Sequence, residues 1–290
     1  MKTRIIVSAV LLPIFFAVLF IFPPFVLTVV ISVLCAIAVF ELFHATKLLN
    51  KRVLVYTIIA AVLTPMAVFL SFALHAVTQS TYSIMTLITL LLSIFFIFIC
   101  FLVIEVVLAF KSVDSEKKFK LRQVPIAFAS GMVIPLMLSA LVSLKSMPYG
   151  HLLVLIPIIS TFLTDSGAYF VGVAIGKRKI FPNISPNKTL EGCVGGVIAG
   201  TFGIMLYGII LSYTTSLAIM FPALFVYGLI GAVVTEFGDL VYSFIKRKCG
   251  IKDYGRLFPG HGGVLDRFDS MSFNAPVMLL LVVVIPAILV

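Results

Sequence analysis

Between Leu87 and Phe110 the sequence reads LITLLLSIFFIFICFLVIEVVLAF, with Glu105 its only charged residue. About 20 consecutive apolar residues carry a helix across the hydrocarbon core of a bilayer, and a soluble helix of this length would need a polar face that is missing here. The stretch is therefore read as a membrane span. Working outward, Ile5–Phe22 and Val53–Ala73 have the same character. The whole composition agrees: 62% of residues are hydrophobic and 11% charged, where soluble domains carry roughly a quarter charged residues. A soluble fold is excluded.

Apolar runs and their polar breaks give nine candidate spans, near 5–22, 25–45, 53–75, 82–110, 122–144, 151–175, 194–213, 218–245 and 272–290. The expected fold is an all-α polytopic integral membrane protein of about nine transmembrane helices. We read one integral domain over 1–290, with N-terminal helices in 1–145 and catalytic helices with their polar loops in 146–290. Lys2 and Arg4 precede the first apolar run as in a signal peptide, but no small-x-small cleavage site follows, so the first helix is expected to be retained.

The basic residues set the expected orientation. Breaks with Lys47, Lys51 and Arg52, with Lys111 to Arg122, with Lys177 to Lys188 and with Lys246 to Arg267 alternate with breaks that are neutral or nearly so. With the N-terminus in the cytoplasm, every Lys and Arg except Lys145 falls on the cytoplasmic side. The positive-inside rule then gives a cytoplasmic N-terminus and an outer C-terminus. The polar loops 111–121, 176–193 and 246–271 lie together on the cytoplasmic face, so the active site is expected to face the cytoplasm in a multi-pass cell-membrane protein. The net charge of +10 is thereby a matter of topology, and no nucleic-acid partner is expected. Cys35, Cys100, Cys193 and Cys249 are scattered without a C-x-x-C pair, which indicates neither a zinc site nor a disulfide framework.

Five acids fall within spans: Glu41, Glu105, Asp165, Glu236 and Asp239. A charge at the bilayer centre costs about 2.5 kcal/mol or more, so each must face the bundle interior, water or a partner. Glu41, with His44 one turn on, reads as an interfacial structural residue, and Glu105 equally as a hydrogen-bonded packing residue. The eighth span is more informative. Glu236, Asp239, Ser243 and Lys246/Arg247 share one helix face that runs from acids to a basic pair, and a structural ion-pair ladder is the competing reading.

Past that helix comes KDYGRLFPGHGGVLDRFD, Lys252 to Asp269. Gly260, Gly262 and Gly263 let the backbone approach a ligand and turn N–H groups toward an anion. Asp266 and Asp269, with Arg267 between them, add two carboxylates and a cation within one turn. Hard oxygen donors at this density suit Mg²⁺. The residues thus describe a Mg²⁺-polyphosphate site at the membrane edge, with neither base nor lipid named.

The pattern Ser243-x-x-Lys246-Arg247, Lys252-Asp253-x-Gly255, Phe258-Pro259-x-His261-Gly262-Gly263-x-x-Asp266-Arg267-x-Asp269 resembles the signature of phosphatidate cytidylyltransferases, also called CDP-diglyceride synthetases. Asp165-Ser166-Gly167-Ala168-Tyr169, Ser185-Pro186-Asn187-Lys188-Thr189-Leu190-Glu191-Gly192 and Glu236-Phe237-Gly238-Asp239 fit the same family. The resemblance covers about 161–270; the N-terminal half matches only in character.

It implies transfer of CMP from CTP to phosphatidate, giving CDP-diacylglycerol and pyrophosphate in phospholipid biosynthesis at the inner membrane. It also implies Mg²⁺, in one- or two-ion fashion, and a homodimer. Expected metal ligands are Asp239, Asp266, Asp269 and Asp165. Lys246, Arg247, Lys252 and Arg267 are expected on the phosphates, with Lys188, Ser243, Asp253, Gly262 and Gly263 as further nucleotide contacts. Asp239, Lys246, Asp266, Arg267 and His261 form the expected catalytic set, His261 as a structural or phosphate-binding group rather than a proton acceptor. The competing functions are a CTP-dependent enzyme of isoprenoid lipids and an ion-coupled transporter built on the intramembrane acids. The transporter leaves the dense loop 246–269 without a role.

Overall fold

The computed structural model describes residues 13–48, 50–78, 82–111, 123–255, 257 and 262–289. His261, and the loop 112–122 with Lys117, Lys118, Lys120 and Arg122, lie outside them. The chain folds as two compact units, Met1–Pro148 with Asp253–Arg267, and Tyr149–Lys252 with Phe268–Val290.

The first unit holds α1 (helical over the described residues 13–20), α2 (Pro24–Ala45), α3 (Lys51–Thr78), α4 (Tyr82–Lys111) and α5 (Val124–Ser146). α3 lies at its centre and packs on α2, α4 and α5. α5 widens into one π turn over Ala129–Val133, where Gly131 is needed: a Cβ there would sit 2.9 Å from the Phe98 ring. Pro24 opens α2 at a position where a missing N–H does no harm.

With no water inside a bilayer, hydroxyls turn to carbonyls of their own helix, as Thr57 does to Val53 and Thr64 to Ala60. Glu105 is buried and paired, with Arg52 Nε at 3.3 Å and Asn50 Nδ2 at 3.3 Å. Lys145, the exception to the basic-residue pattern, sits in the last turn of α5, where it is buried and its ammonium donates to the carbonyl of Leu19.

The second unit holds α6 (Gly150–Ile175), α7 (Leu190–Thr214) and α8 (Phe221–Lys248). α7 packs on both α6 and α8, and α6 also meets α8. Small residues allow these close approaches. A Cβ on Gly228 of α8 would fall 2.6 Å from the Thr201 Cα of α7. Gly192, Gly195, Gly196 and Gly200, a stripe that could also have served an interface between copies, are buried or half-buried against α6 and α8 within the unit.

The last helix, α9 (Leu265–Val284), begins seven residues earlier than the expected 272–290, with its first turn, through Arg267, in the first unit and the remainder in the second. It ends before Pro286, whose ring disfavours helical backbone just ahead of it. Beyond it Ile288–Leu289 pairs antiparallel with Ala218–Ile219, a two-residue ladder in an otherwise helical molecule. The polar start of α9 hides its helical character from a hydropathy reading, and Asp266 and Asp269 therefore ride on a helix, three residues apart and on one side of it.

Eight of these helices, α2 to α9, are long and apolar enough to cross a membrane. Phe96, Val173, Phe202 and Tyr213 are each at least two-thirds exposed, as apolar side chains facing lipid would be.

Candidate functional site

In the second unit the site grows from one face of α8. Glu236, Asp239, Ser243 and Lys246 recur at three- and four-residue intervals, so they project together, as the 3.6-residue period requires. Ser243 Oγ donates to Asp239 Oδ1 at 3.4 Å. Gly196 of α7 leaves room for the Glu236 carboxylate, since a Cβ there would lie 2.8 Å from its Oε1.

The loop between α6 and α7 delivers the cation. Thr189 caps α7 by accepting from Gly192 N at 3.1 Å, an N-cap role its hydroxyl favours. Glu191 Oε2 accepts the N–H groups of Lys177 and Arg178 at 3.0 and 3.1 Å, and Lys179 bridges to Thr189. With its ends tied, the loop directs Lys188 inward. Its Nζ lies 2.6 Å from Glu236 Oε2 and 2.9 Å from Asp239 Oδ2, and also donates to the Glu236 carbonyl at 3.1 Å. Burial works against the charge of this lysine, yet Asp239 and then Glu236 outweigh it and raise its pKa above the ordinary value. Cys193 Sγ donates to Glu236 Oε2 at 3.4 Å.

Asp165 of α6 lies within electrostatic reach of Asp269, Asp239, Glu236 and Lys188. Lys246 Nζ stands 3.9 Å from Asp269 Oδ2, both side chains largely shielded. Arg247 points to the loops, donating to the carbonyls of Ile184 and Ile251, and Lys252 is exposed.

The first unit holds the rest of the signature. Asp266 Oδ2 accepts from Tyr254 N at 2.8 Å and Gly263 N at 3.0 Å. Gly262 has φ +91°, a region open to glycine. The Gly263 N–H that the sequence reading offered to an anion is thus donated within the chain. Arg267 and Asp253 are exposed. Sequence reasoning brought Lys188, Asp239 and Ser243 into one nucleotide and metal set, and Lys188 and Ser243 both bond Asp239. It left Cys193 as a bystander and Glu41 as interfacial, and set Glu236 on the same helix face as Asp239 without naming a catalytic, binding or metal role for it; the signal for the two acids was their presence in apolar spans.

Among the described residues no three His, Cys, Asp or Glu side chains gather closely enough to hold a metal ion by themselves. The donor chemistry still suits a hard cation, because the acids around Lys188 offer only carboxylate oxygens and the Lys188 ammonium is already held as a cation by two of them.

A family model described as "Cytidylyltransferase family" matches residues 2–285. The phosphatidate cytidylyltransferase of Bacillus subtilis (strain 168) is 43% identical over 128 residues, 44% of this chain and 46% of that protein. The phosphatidate cytidylyltransferase of Staphylococcus saprophyticus is 41% identical over 130 residues, 45% and 48% of the two chains. That of Staphylococcus haemolyticus is 42% identical over 122 residues, 42% and 45%. The chain spans just under half the length of these curated relatives.

Proposed function

This chain belongs to the cytidylyltransferase family, and from that membership we propose that it transfers CMP from CTP to phosphatidate, forming CDP-diacylglycerol and releasing pyrophosphate. The observation that carries the reading is the Lys188–Glu236–Asp239 cluster, in which a shielded loop lysine meets two acids of the membrane-spanning α8. Charge of both signs is gathered there in a chain otherwise built for lipid, as a reaction between a polyphosphate and a lipid phosphate requires. The names of the similar Bacillus and Staphylococcus proteins support the lipid acceptor.

In the reaction a phosphate oxygen of phosphatidate attacks the α-phosphorus of CTP. A new P–O bond forms, the bond to the β-phosphate bridging oxygen breaks, and pyrophosphate leaves with that electron pair. A phosphate monoester has its second pKa near ~6, so the nucleophile is already largely ionised at neutral pH and needs no strong base. The protein's part is positioning and charge neutralisation. Lys188 and Lys246 supply positive charge to the phosphates; Ser243 orients Asp239; Arg247 holds the loop that carries Lys188.

Mg²⁺ is the expected cofactor; Asp239, Asp269 and Asp165 are the carboxylates of this unit from which one or two ligands would come, with the substrate phosphates completing the shell, and when bound it would neutralise charge developing on the triphosphate. In this reading the polar loops face the cytoplasm, where CTP is, because the basic residues collect on that side. The resemblance further implies a homodimer, which mass measurement in detergent would check.

The test is transfer of labelled cytidylate from CTP to phosphatidate in detergent micelles, with wild type, Asp239→Asn and a metal-chelated control. Lipid-linked cytidylate and pyrophosphate are expected in equal amounts from the wild type with Mg²⁺. The reading is overturned if folded wild type leaves phosphatidate unmodified while converting an isoprenoid phosphate.

A further inference from the structure

Glu41 is far in sequence from the signature, near the end of α2, and the chemistry proposed above gives it no part. Its side chain is nevertheless buried, and its two oxygens each accept one backbone N–H, Val264 to Oε1 and Leu265 to Oε2, both at 2.9 Å. These N–H groups belong to the opening turn of α9, where a helix has donors without partners of its own and where a negative charge is favoured. The fit around the carboxylate is tight. A Cβ on Gly255 or on Gly263 would come within 2.3 Å of Glu41 Oε1, so both glycines are required by this acid as much as by any ligand. One residue past Leu265, Asp266 grips the same turn from the other side through Tyr254 N and Gly263 N.

We propose that Glu41 is a positioning residue for the reaction: with Asp266 it holds the backbone at Tyr254 and at Gly263, Val264 and Leu265, fixing the start of α9 from which Asp266 and Arg267 project. The inference rests on the cytidylyl-transfer reading. A carboxylate is the group the place demands, since each oxygen meets a donor. Gln presents one acceptor and sets an amide N–H against a backbone N–H. Asp keeps the charge but is a methylene too short to reach both amides.

The test compares wild type, Glu41→Gln, Glu41→Asp and Gly255→Ala in full-length protein. It reads kcat and KM for CTP and phosphatidate, the thermal midpoint, and hydrogen exchange at the amides of Val264 and Leu265. A misplacement near 1 Å can lower a rate by about 100-fold. The expected result is a kcat reduced about 10- to 100-fold in all three variants, in folded protein with little change in either KM, and at least about tenfold faster exchange at the two amides.

Wild-type kcat in folded Glu41→Gln overturns the proposal, as does a loss of activity no larger than the loss of folded protein. Failure of all three variants to fold also overturns it, because Glu41 is then a structural residue alone. If wild type itself transfers no cytidylate, the functional reading fails, while the exchange measurement still decides whether Glu41 clamps the turn.

Discussion

Replacing Lys188 by Met removes the cation from between Glu236 and Asp239 while keeping a side chain of similar length. In the native protein the side chains of Lys188 and Glu236 are each 11% exposed, and that of Asp239 is 33% exposed. Removing one partner of a buried ion pair destabilises by about 3–5 kcal/mol, because the other charge is stranded. Asp239 can regain part of its hydration; Glu236 is left with the thiol of Cys193. The loss should therefore fall at the lower end, about 3 kcal/mol. At roughly 2–4 °C per kcal/mol for chains of 150–250 residues, the midpoint in detergent drops by about 6–12 °C.

Fluorescence-detected size exclusion after heating gives the midpoint directly. The double variant Lys188→Met/Glu236→Gln leaves no stranded charge at Glu236 and should recover most of the loss. A shift below about 2 °C in the single variant refutes the argument, and so does a double variant no more stable than the single.

The same lysine predicts a pH effect. Its folded pKa is raised, so its contribution is complete below the unfolded value near ~10.4 and is lost as pH rises through the higher folded value; wild-type midpoints should fall more steeply above that pH than those of Lys188→Met. Gly228→Ala sets a Cβ 2.6 Å from the Thr201 Cα, and backbone cannot yield as a side chain can, so a loss of about 1–3 kcal/mol is expected from overpacking, read as a lower midpoint. Thr189→Ala removes the α7 cap, which should lower stability by about 1 kcal/mol and speed tryptic cleavage at Lys177–Lys179, with Thr189→Ser restoring both.

The spans were legible because a bilayer imposes one requirement, about 20 apolar residues, that local sequence meets or fails on its own. The face of α8 was legible for the same local reason: Glu236, Asp239, Ser243 and Lys246 follow the helical period, and Ser243 does bond Asp239. The start of α9 was not, because Asp266, Arg267 and Asp269 make its opening turn polar and hydropathy reads polar residues as loop. The backbone N–H at its start, that of Leu265, is bonded by a carboxylate more than two hundred residues away.

Sequence alone therefore determined that this is a helical membrane protein, and it pointed to the acids and basic loops after residue 160 as the candidate site. Only the tertiary structure decided that Lys188 sits between Glu236 and Asp239, that Cys193 joins them, and that Glu41 accepts the backbone N–H groups of Val264 and Leu265. Periodicity and composition act over a few residues, whereas a buried charge takes whatever partner the fold brings to it, and that partner leaves no trace in neighbouring sequence.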